Sequence, residues 1–379
     1  MMTLRVVVDQ MLAPVPGGIG RYTEELTKQI IQVAPRGCDV EGIVSAHPQE
    51  DYDRLEDKLP GLASLYRSVL GRRELSIAWQ TGTLGLPGRG MVHGTSLFTP
   101  LYKHDRSLDP ATQTAVTIHD TVPWTHPETL TAQGVRWHRA MAKRAWKFAD
   151  AVVVPTHAVA AELAEYFDFG DRLRVIGGAV SPDLAVPDDA DEIADRLDLP
   201  ERYALSVGTL EPRKGLEPLI RAMAHPDAPD IPLLVVGPEG WGDVQVSSVA
   251  EQAGLDDTRV RVMGRVPDAT LAALLQRASV FVYPSLAEGF GLPVVEALSL
   301  GTPVVHSDAP ALVEVAAGAG VVVPRDDPAG YPERLAQAMY QVVNDVELST
   351  RLGVIGLDRA RAFSWRDSAE KVWQLHADL

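Results

Sequence analysis

Val280-Phe281-Val282-Tyr283-Pro284-Ser285-Leu286-Ala287-Glu288-Gly289-Phe290-Gly291-Leu292-Pro293-Val294-Val295-Glu296-Ala297 runs from an unbroken apolar stretch through a glycine turn into a helix start. An apolar run of that length without alternation reads as a strand buried on both faces, which is the pattern of a parallel sheet. Pro293 suits a first helical turn and Gly301 stands where a helix ends, so the spacing predicts a helix over 293–300. Two carboxylates, Glu288 and Glu296, bracket the turn just beyond the carboxyl end of the strand, where ligands bind in open α/β sheets. The backbone N–H groups of Gly289, Phe290, Gly291 and Leu292 at a helix N-terminus suit an anion such as phosphate. Carboxylates, which only accept, suit sugar hydroxyls.

The same strand-to-helix rhythm recurs along the chain. Buried-strand runs are read at 4–8, 40–44, 91–93, 114–119, 151–154 and 174–176, and again at 203–207, 233–236, 260–263, 302–306 and 320–323. The sequence therefore predicts two α/β halves, each a Rossmann-like doubly wound domain. A chain of 379 residues agrees, since single cores stop growing near roughly 250–300 residues. The proline-punctuated acidic stretch 181–200 reads as a linker, with a short surface helix at 191–197. Domains are expected at 1–184 and 185–362, with a C-terminal helix of about 363–379 packing back on the first.

Composition narrows the functional classes. The formal net charge of −16 works against nucleic acid as a partner. Cys38 is the only cysteine, so no internal disulfide and no cysteine metal cluster is available, and a reducing, cytoplasmic setting is expected. The charge at Arg5 argues against an export signal, and no apolar run is long enough to span a bilayer. Any membrane association would be peripheral, on the inner face. The segment Arg136–Lys147, with its cations and two tryptophans, is the candidate for that contact, solvated helix with core-facing tryptophans being the alternative.

Three further segments carry candidate chemistry. Val207-Gly208-Thr209-Leu210-Glu211-Pro212-Arg213-Lys214-Gly215 places two adjacent cations after a glycine turn, able to neutralise charge on a departing diphosphate. His119-Asp120 ends a buried strand, where the imidazole would donate to a hydroxyl with Asp120 fixing its orientation; a satisfied core histidine and a capping aspartate are the structural alternatives. Gly17-Gly18-Ile19-Gly20-Arg21 reads as a glycine loop feeding a helix whose apolar face carries Tyr22, Leu26, Ile30 and Val33. Asp189-Ala190-Asp191 spells the D-x-D of metal-dependent transferases but lies in the acidic linker, so no metal is expected.

Glu288 and Glu296, with the glycines between them, resemble the E-x7-E motif of glycosyltransferase family 4, retaining enzymes of the two-domain GT-B fold. The resemblance spans nearly the whole chain and is most specific over 208–304. It implies a nucleotide-diphosphate sugar bound in an interdomain cleft, with Glu288 near the donor sugar and Glu296 on the ribose. It implies further that Arg213 and Lys214 hold the pyrophosphate, that His119 and Gly18 lie in the site, and that Met263 lies along the base. Arg21 and Asp120 are added as acceptor or phosphate contacts. Gly18-Ile19-Gly20-Arg21-Tyr22-Thr23, His119–Trp124 and Pro127-Glu128 look most like the bacterial mannosyltransferase branch acting on saccharide or lipid-linked acceptors. Val175–Val180 departs from the turn usual in that family. A sugar-nucleotide epimerase or hydrolase on the same fold and a non-catalytic nucleotide-sugar-binding protein remain the rivals.

Overall fold

The computed structural model describes residues 2–86, 90–105, 108–109, 111–238 and 246–379. The chain divides into two compact units, Met1–Gly178 with Ser364–Leu379, and Ala179–Phe363.

The first unit is built on seven strands: β1 Met2–Val7, β2 Cys38–Val44, β3 Ser64–Arg67, β4 Met91–Gly94, β5 Gln113–Thr117, β6 Ala151–Val154 and β7 Leu173–Val175. Their spatial order is β3-β2-β1-β4-β5-β6-β7, and each neighbouring pair is parallel. Val6, Val116, Val152 and Val154 are wholly buried, as expected of central strands covered by helices on both faces. The sequence reading misses β3, because Ser64-Leu65-Tyr66-Arg67 is a short, half-exposed edge strand whose polar ends weaken the apolar signal.

The helix Gly17–Gln32 buries Tyr22, Leu26 and Ile30. It begins at Gly17, so Gly17–Gly20 is its first turn and not a loop ahead of it; only Gly17 takes a positive φ, +58°. The C-terminal helix Trp365–Asp378 is part of this unit. Trp373 Nε1 donates to Ile30 O at 3.0 Å and Ser368 Oγ to Gly177 O at 2.9 Å.

The second unit carries β8 Ala204–Val207, β9 Leu233–Val236, β10 Val260–Gly264, β11 Val280–Tyr283, β12 Val304–Ser307 and β13 Gly320–Val323, in the order β10-β9-β8-β11-β12-β13, again all parallel. The acidic stretch read as a linker packs here instead. Leu184 and Ile193 are buried, Leu199 packs on the same apolar cluster as Leu184, and a helix spans Ala190–Arg196. Its apolar residues Ile193 and Ala194 are buried while the aspartates of the stretch are exposed, which explains its composition.

Candidate functional site

β8 and β11 are neighbours in the second sheet, with β9 continuing outward from β8 and β12 from β11. The order reverses at this point, the topological switch point beside which ligands bind in open α/β sheets. Both of the most specific sequence segments leave from here. A 3-10 turn over Pro212–Lys214 ends at Gly215, φ +67°, where a Cβ would stand 2.2 Å from Pro284 O. The two loops press together only because residue 215 has no side chain. Leu286 N then donates to Arg213 O at 2.8 Å, fastening one loop to the other.

This brings Arg213, Lys214 and Glu288 to one point. Glu288 Oε1 receives Lys214 Nζ at 2.6 Å, Ser285 Oγ at 2.7 Å and Tyr283 OH at 3.0 Å, with Arg213 Nη1 at 3.2 Å. Lys214 Nζ also donates to Tyr283 OH at 2.9 Å. Arg213 donates through Nη1 to Ala287 O at 2.9 Å and through Nη2 to Glu211 Oε1 at 2.7 Å. Burial pushes the Glu288 carboxyl up, but Lys214 and Arg213 outweigh it and bring the group down to about 2. Burial, reinforced by Arg213, pulls the Lys214 ammonium down against the opposing pull of Glu288. Burial also drives the Tyr283 phenol well above its usual range, with the Glu288 charge adding to it. The cluster thus holds an ionised carboxylate and a neutral phenol around two cations, and its charges are balanced by Glu288 and Glu211.

The remaining predicted residues of this unit lie on the elements around the switch point. Gly208 follows β8 and donates to Val236 O at 2.9 Å. Gly289 lies in the turn, Gly291 precedes the helix at φ +88°, and Leu292 opens the helix Leu292–Ser299. Glu296 is buried on that helix. The Phe290 ring packs edge-on against Phe363 in an apolar cluster with Val295 and Val315, so its side chain is committed to the core. Met263 sits near the end of β10 and packs on the cluster beneath the sheet. Asp191 accepts from Arg277 at 2.9 and 3.0 Å, which places half of the D-x-D string in a surface ion pair. Tyr283, Ser285 and Glu211 are the members the sequence reading did not single out. Ser285 lay inside the quoted motif, but Tyr283 read only as the last strand residue.

In the first unit the end of β5 carries His119 and Asp120, both half-buried. His119 Nε2 lies 2.7 Å from Thr95 O, and the ring stands edge-on to Tyr22 at 4.8 Å. Burial pulls this imidazole below its ordinary value, against the smaller pulls of the Thr95 bond and Asp120. Asp120 is not what orients it: its carboxylate accepts from Val122 N at 3.1 Å and so holds the following turn. Gly18 is exposed and Arg21 half-buried on the first turns of the helix Gly17–Gln32.

The helix Ala132–Phe148 keeps Arg136, Arg139, Lys143, Trp146 and Lys147 exposed. Trp137 instead turns inward and donates to Ser76 Oγ at 2.8 Å, and Arg139 donates to Pro123 O at 2.9 Å. No helix among the described residues is long and apolar enough to cross a membrane.

Known proteins share both units. The family described as Glycosyltransferase Family 4 matches residues 16–184, and the one described as Glycosyl transferases group 1 matches residues 189–356. O-antigen chain mannosyltransferase B of Escherichia coli is 28% identical over 371 residues, covering 92% of this chain and 93% of its own. Sucrose-phosphate synthase from Thermosynechococcus elongatus superposes with a TM-score of 0.77 at 22% identity, over 100% of this chain and 99% of that one. HepE of Anabaena, crystallised with UDP and glucose, gives a TM-score of 0.75 at 17% identity over 100% of both chains. With each unit matched by its own family model and the whole chain superposing on solved two-domain transferases, the chain belongs to glycosyltransferase family 4 and is a glycosyltransferase of the GT-B fold.

Proposed function

We propose that this glycosyltransferase moves a hexosyl group, mannosyl foremost, from a nucleotide-diphosphate sugar to a saccharide or lipid-linked acceptor in cell-surface polysaccharide or glycoconjugate synthesis. One observation carries the donor assignment: Arg213 and Lys214 converge on Glu288 at the switch point of the second sheet. In the free protein Glu288 and Glu211 balance the two cations. A diphosphate offers the same cations more acceptor oxygens and more charge, so it competes with both carboxylates for them. The helix beginning at Leu292 adds the positive end of its dipole.

In this reading Arg213, Lys214 and the helix N-terminus receive the leaving diphosphate without a metal ion. Glu288, released toward the sugar, accepts from its hydroxyls, and Glu296 takes the ribose. Transfer proceeds with retention through a short-lived oxocarbenium-like ion pair, the departing phosphate oxygen taking the acceptor proton. The mannosyl preference leans on the Escherichia coli relative, an O-antigen chain mannosyltransferase. The UDP and glucose in HepE support a nucleotide sugar as donor.

The test is nucleoside diphosphate release from UDP-, GDP-, ADP- and dTDP-sugars, with and without mannoside acceptors and with EDTA throughout, the product anomer being read by NMR. Acceptor-dependent release from GDP-mannose with a retained anomer is expected. Release of free sugar that ignores the acceptor would instead indicate a hydrolase or epimerase, and binding without release a sensor. The exposed cations and Trp146 on the helix Ala132–Phe148 are proposed to rest on the inner, anionic face of a membrane. Flotation with phosphatidylglycerol vesicles at low salt should recover the protein, and its absence from the vesicle fraction would remove that contact.

A further inference from the structure

In the second unit the helix Val346–Ala360 leaves Val346 78%, Val354 63%, Leu357 43% and Ile355 40% exposed. Its opposite face is already committed to the core. Leu348 and Leu352 are buried there, and at Gly353 and Gly356 an added Cβ would stand 2.7 Å from Gly301 O and 3.0 Å from Leu298 Cδ2. The two glycines let the helix lie directly on the segment around Leu298 and Gly301. At about 100° per residue, Val346, Thr350, Val354 and Leu357 follow one stripe on the side away from that contact, with the i, i+4, i+8, i+11 spacing of a helix seam. Ile355 lies outside the stripe. A surface helix that has buried one apolar face leaves a second one uncovered only at a cost in hydration, so a contiguous second face marks an interaction surface.

The charges along the stripe suit a second copy of the same helix running the opposite way. Val354 is their centre: Glu347 stands seven residues before it and Arg361 seven after, Arg351 three before and Asp358 four after. All four are exposed. A two-fold axis at Val354 brings Glu347 against Arg361 of the second copy about 10 Å from the axis, and Arg351 against Asp358 of the second copy about 5 Å from it, each pair occurring twice. The axis also keeps flanks together. Arg351 and Asp358 share one flank of the stripe and Val346 and Leu357 the other, so charge meets charge and apolar surface meets apolar surface. A parallel pair would set each charge against its own kind, which is repulsive. We propose that two copies of this chain associate through the helix Val346–Ala360, antiparallel about a two-fold axis at Val354. The contact is isologous and closes at two copies. A single helix pair covers less than a standard interface of about 1,600 Å², so the association is weak and depends on concentration.

Sedimentation velocity of the full chain over a wide range of concentration tests this, independently of any transfer activity. A monomer–dimer equilibrium is expected. Val354→Arg, which sets two guanidiniums against each other at the axis, should stay monomeric. Glu347→Arg and Arg361→Glu should each weaken association by about tenfold or more, and the two together should restore it, because the swapped charges meet again. An unchanged Tm in each variant separates lost association from lost folding. The register is tested by oxidation with oxidised glutathione in a Cys38→Ser background. Val354→Cys should join two copies through a disulfide, since Cα atoms that face each other across an antiparallel axis come within about 7 Å. Ile355→Cys, about 100° round the helix, should not. A monomer at every concentration, a dimer indifferent to Val354→Arg, no rescue by the double reversal, or faster cross-linking at 355 than at 354 would each overturn the proposal. A monomer whose flotation with phosphatidylglycerol vesicles is lost in Val354→Arg would overturn it in favour of a membrane on this face.

Discussion

Glu288→Gln should make the second unit about 3 kcal/mol less stable at pH 7, and the deficit should disappear in acid. Glutamine has the shape of the protonated acid, so the variant approximates wild type with its Glu288 proton fixed in place. The carboxyl lies at about 2 instead of 4.5, and each tenfold in that equilibrium corresponds to about 1.4 kcal/mol, which sets the figure. The folded state holds Glu288 ionised through Lys214, Arg213 and Ser285, whereas the unfolded chain releases it to water. Below pH 4.5 the unfolded chain takes up the proton first, so this contribution is complete above 4.5 and drains as pH falls toward 2. Urea unfolding followed by far-ultraviolet circular dichroism, run from pH 7 down to pH 2.5 on both proteins, gives the two stability curves. They should converge as pH drops through that window. A gap under about 1 kcal/mol at pH 7, or one that stays constant with pH, would mean that the four donors do not stabilise a buried charge on Oε1.

Other consequences follow from the same contacts. Arg213→Ala removes one charge-assisted partner of the leaving group and should slow transfer by roughly ten- to a hundredfold, at about 1.5–3 kcal/mol per such bond; steady-state rates within threefold of wild type would contradict the role. Removing Arg213 and Lys214 together leaves Glu288 buried without a counter-charge, so that double variant should lose about 3–5 kcal/mol of stability as well as its activity, readable in the same urea titration. Gly215→Ala forces a Cβ to 2.2 Å from Pro284 O at φ +67° and should cost about 1–3 kcal/mol, seen as a lowered Tm. His93 is buried beside His376, ring centroids 5.6 Å apart, and burial holds it at about 4. The unfolded chain binds this proton near 6.5 and the folded one only near 4, so stability is full above 6.5 and falls by about 3 kcal/mol across that window; in His93→Phe the fall should shrink by about that amount.

The two-fold repetition of buried strands, the switch-point segments and the cation pair were all legible in the chain. Apolar continuity marks central strands because both faces must leave water, and the turn residues that follow them fix where helices begin. The edge strand β3 escaped because half-exposed residues carry no such pattern. Spacing along the chain also says nothing of packing: the Phe290 ring is buried against Phe363, and Met263 is partly buried against the apolar cluster of its sheet.

Sequence alone determined the doubly wound architecture, the family, and the residue types gathered at the switch point of the second sheet, since periodicity and motif spacing are local properties that survive without knowledge of contacts. Tertiary structure alone decided that Tyr283 and Ser285 share one oxygen of Glu288 with Lys214, and that Thr95 holds the proton of His119 on Nε2. Those partners come from strands and loops far apart in the chain. A hydrogen bond is settled by distance and by which atom can donate, and neither is written in the order of the residues.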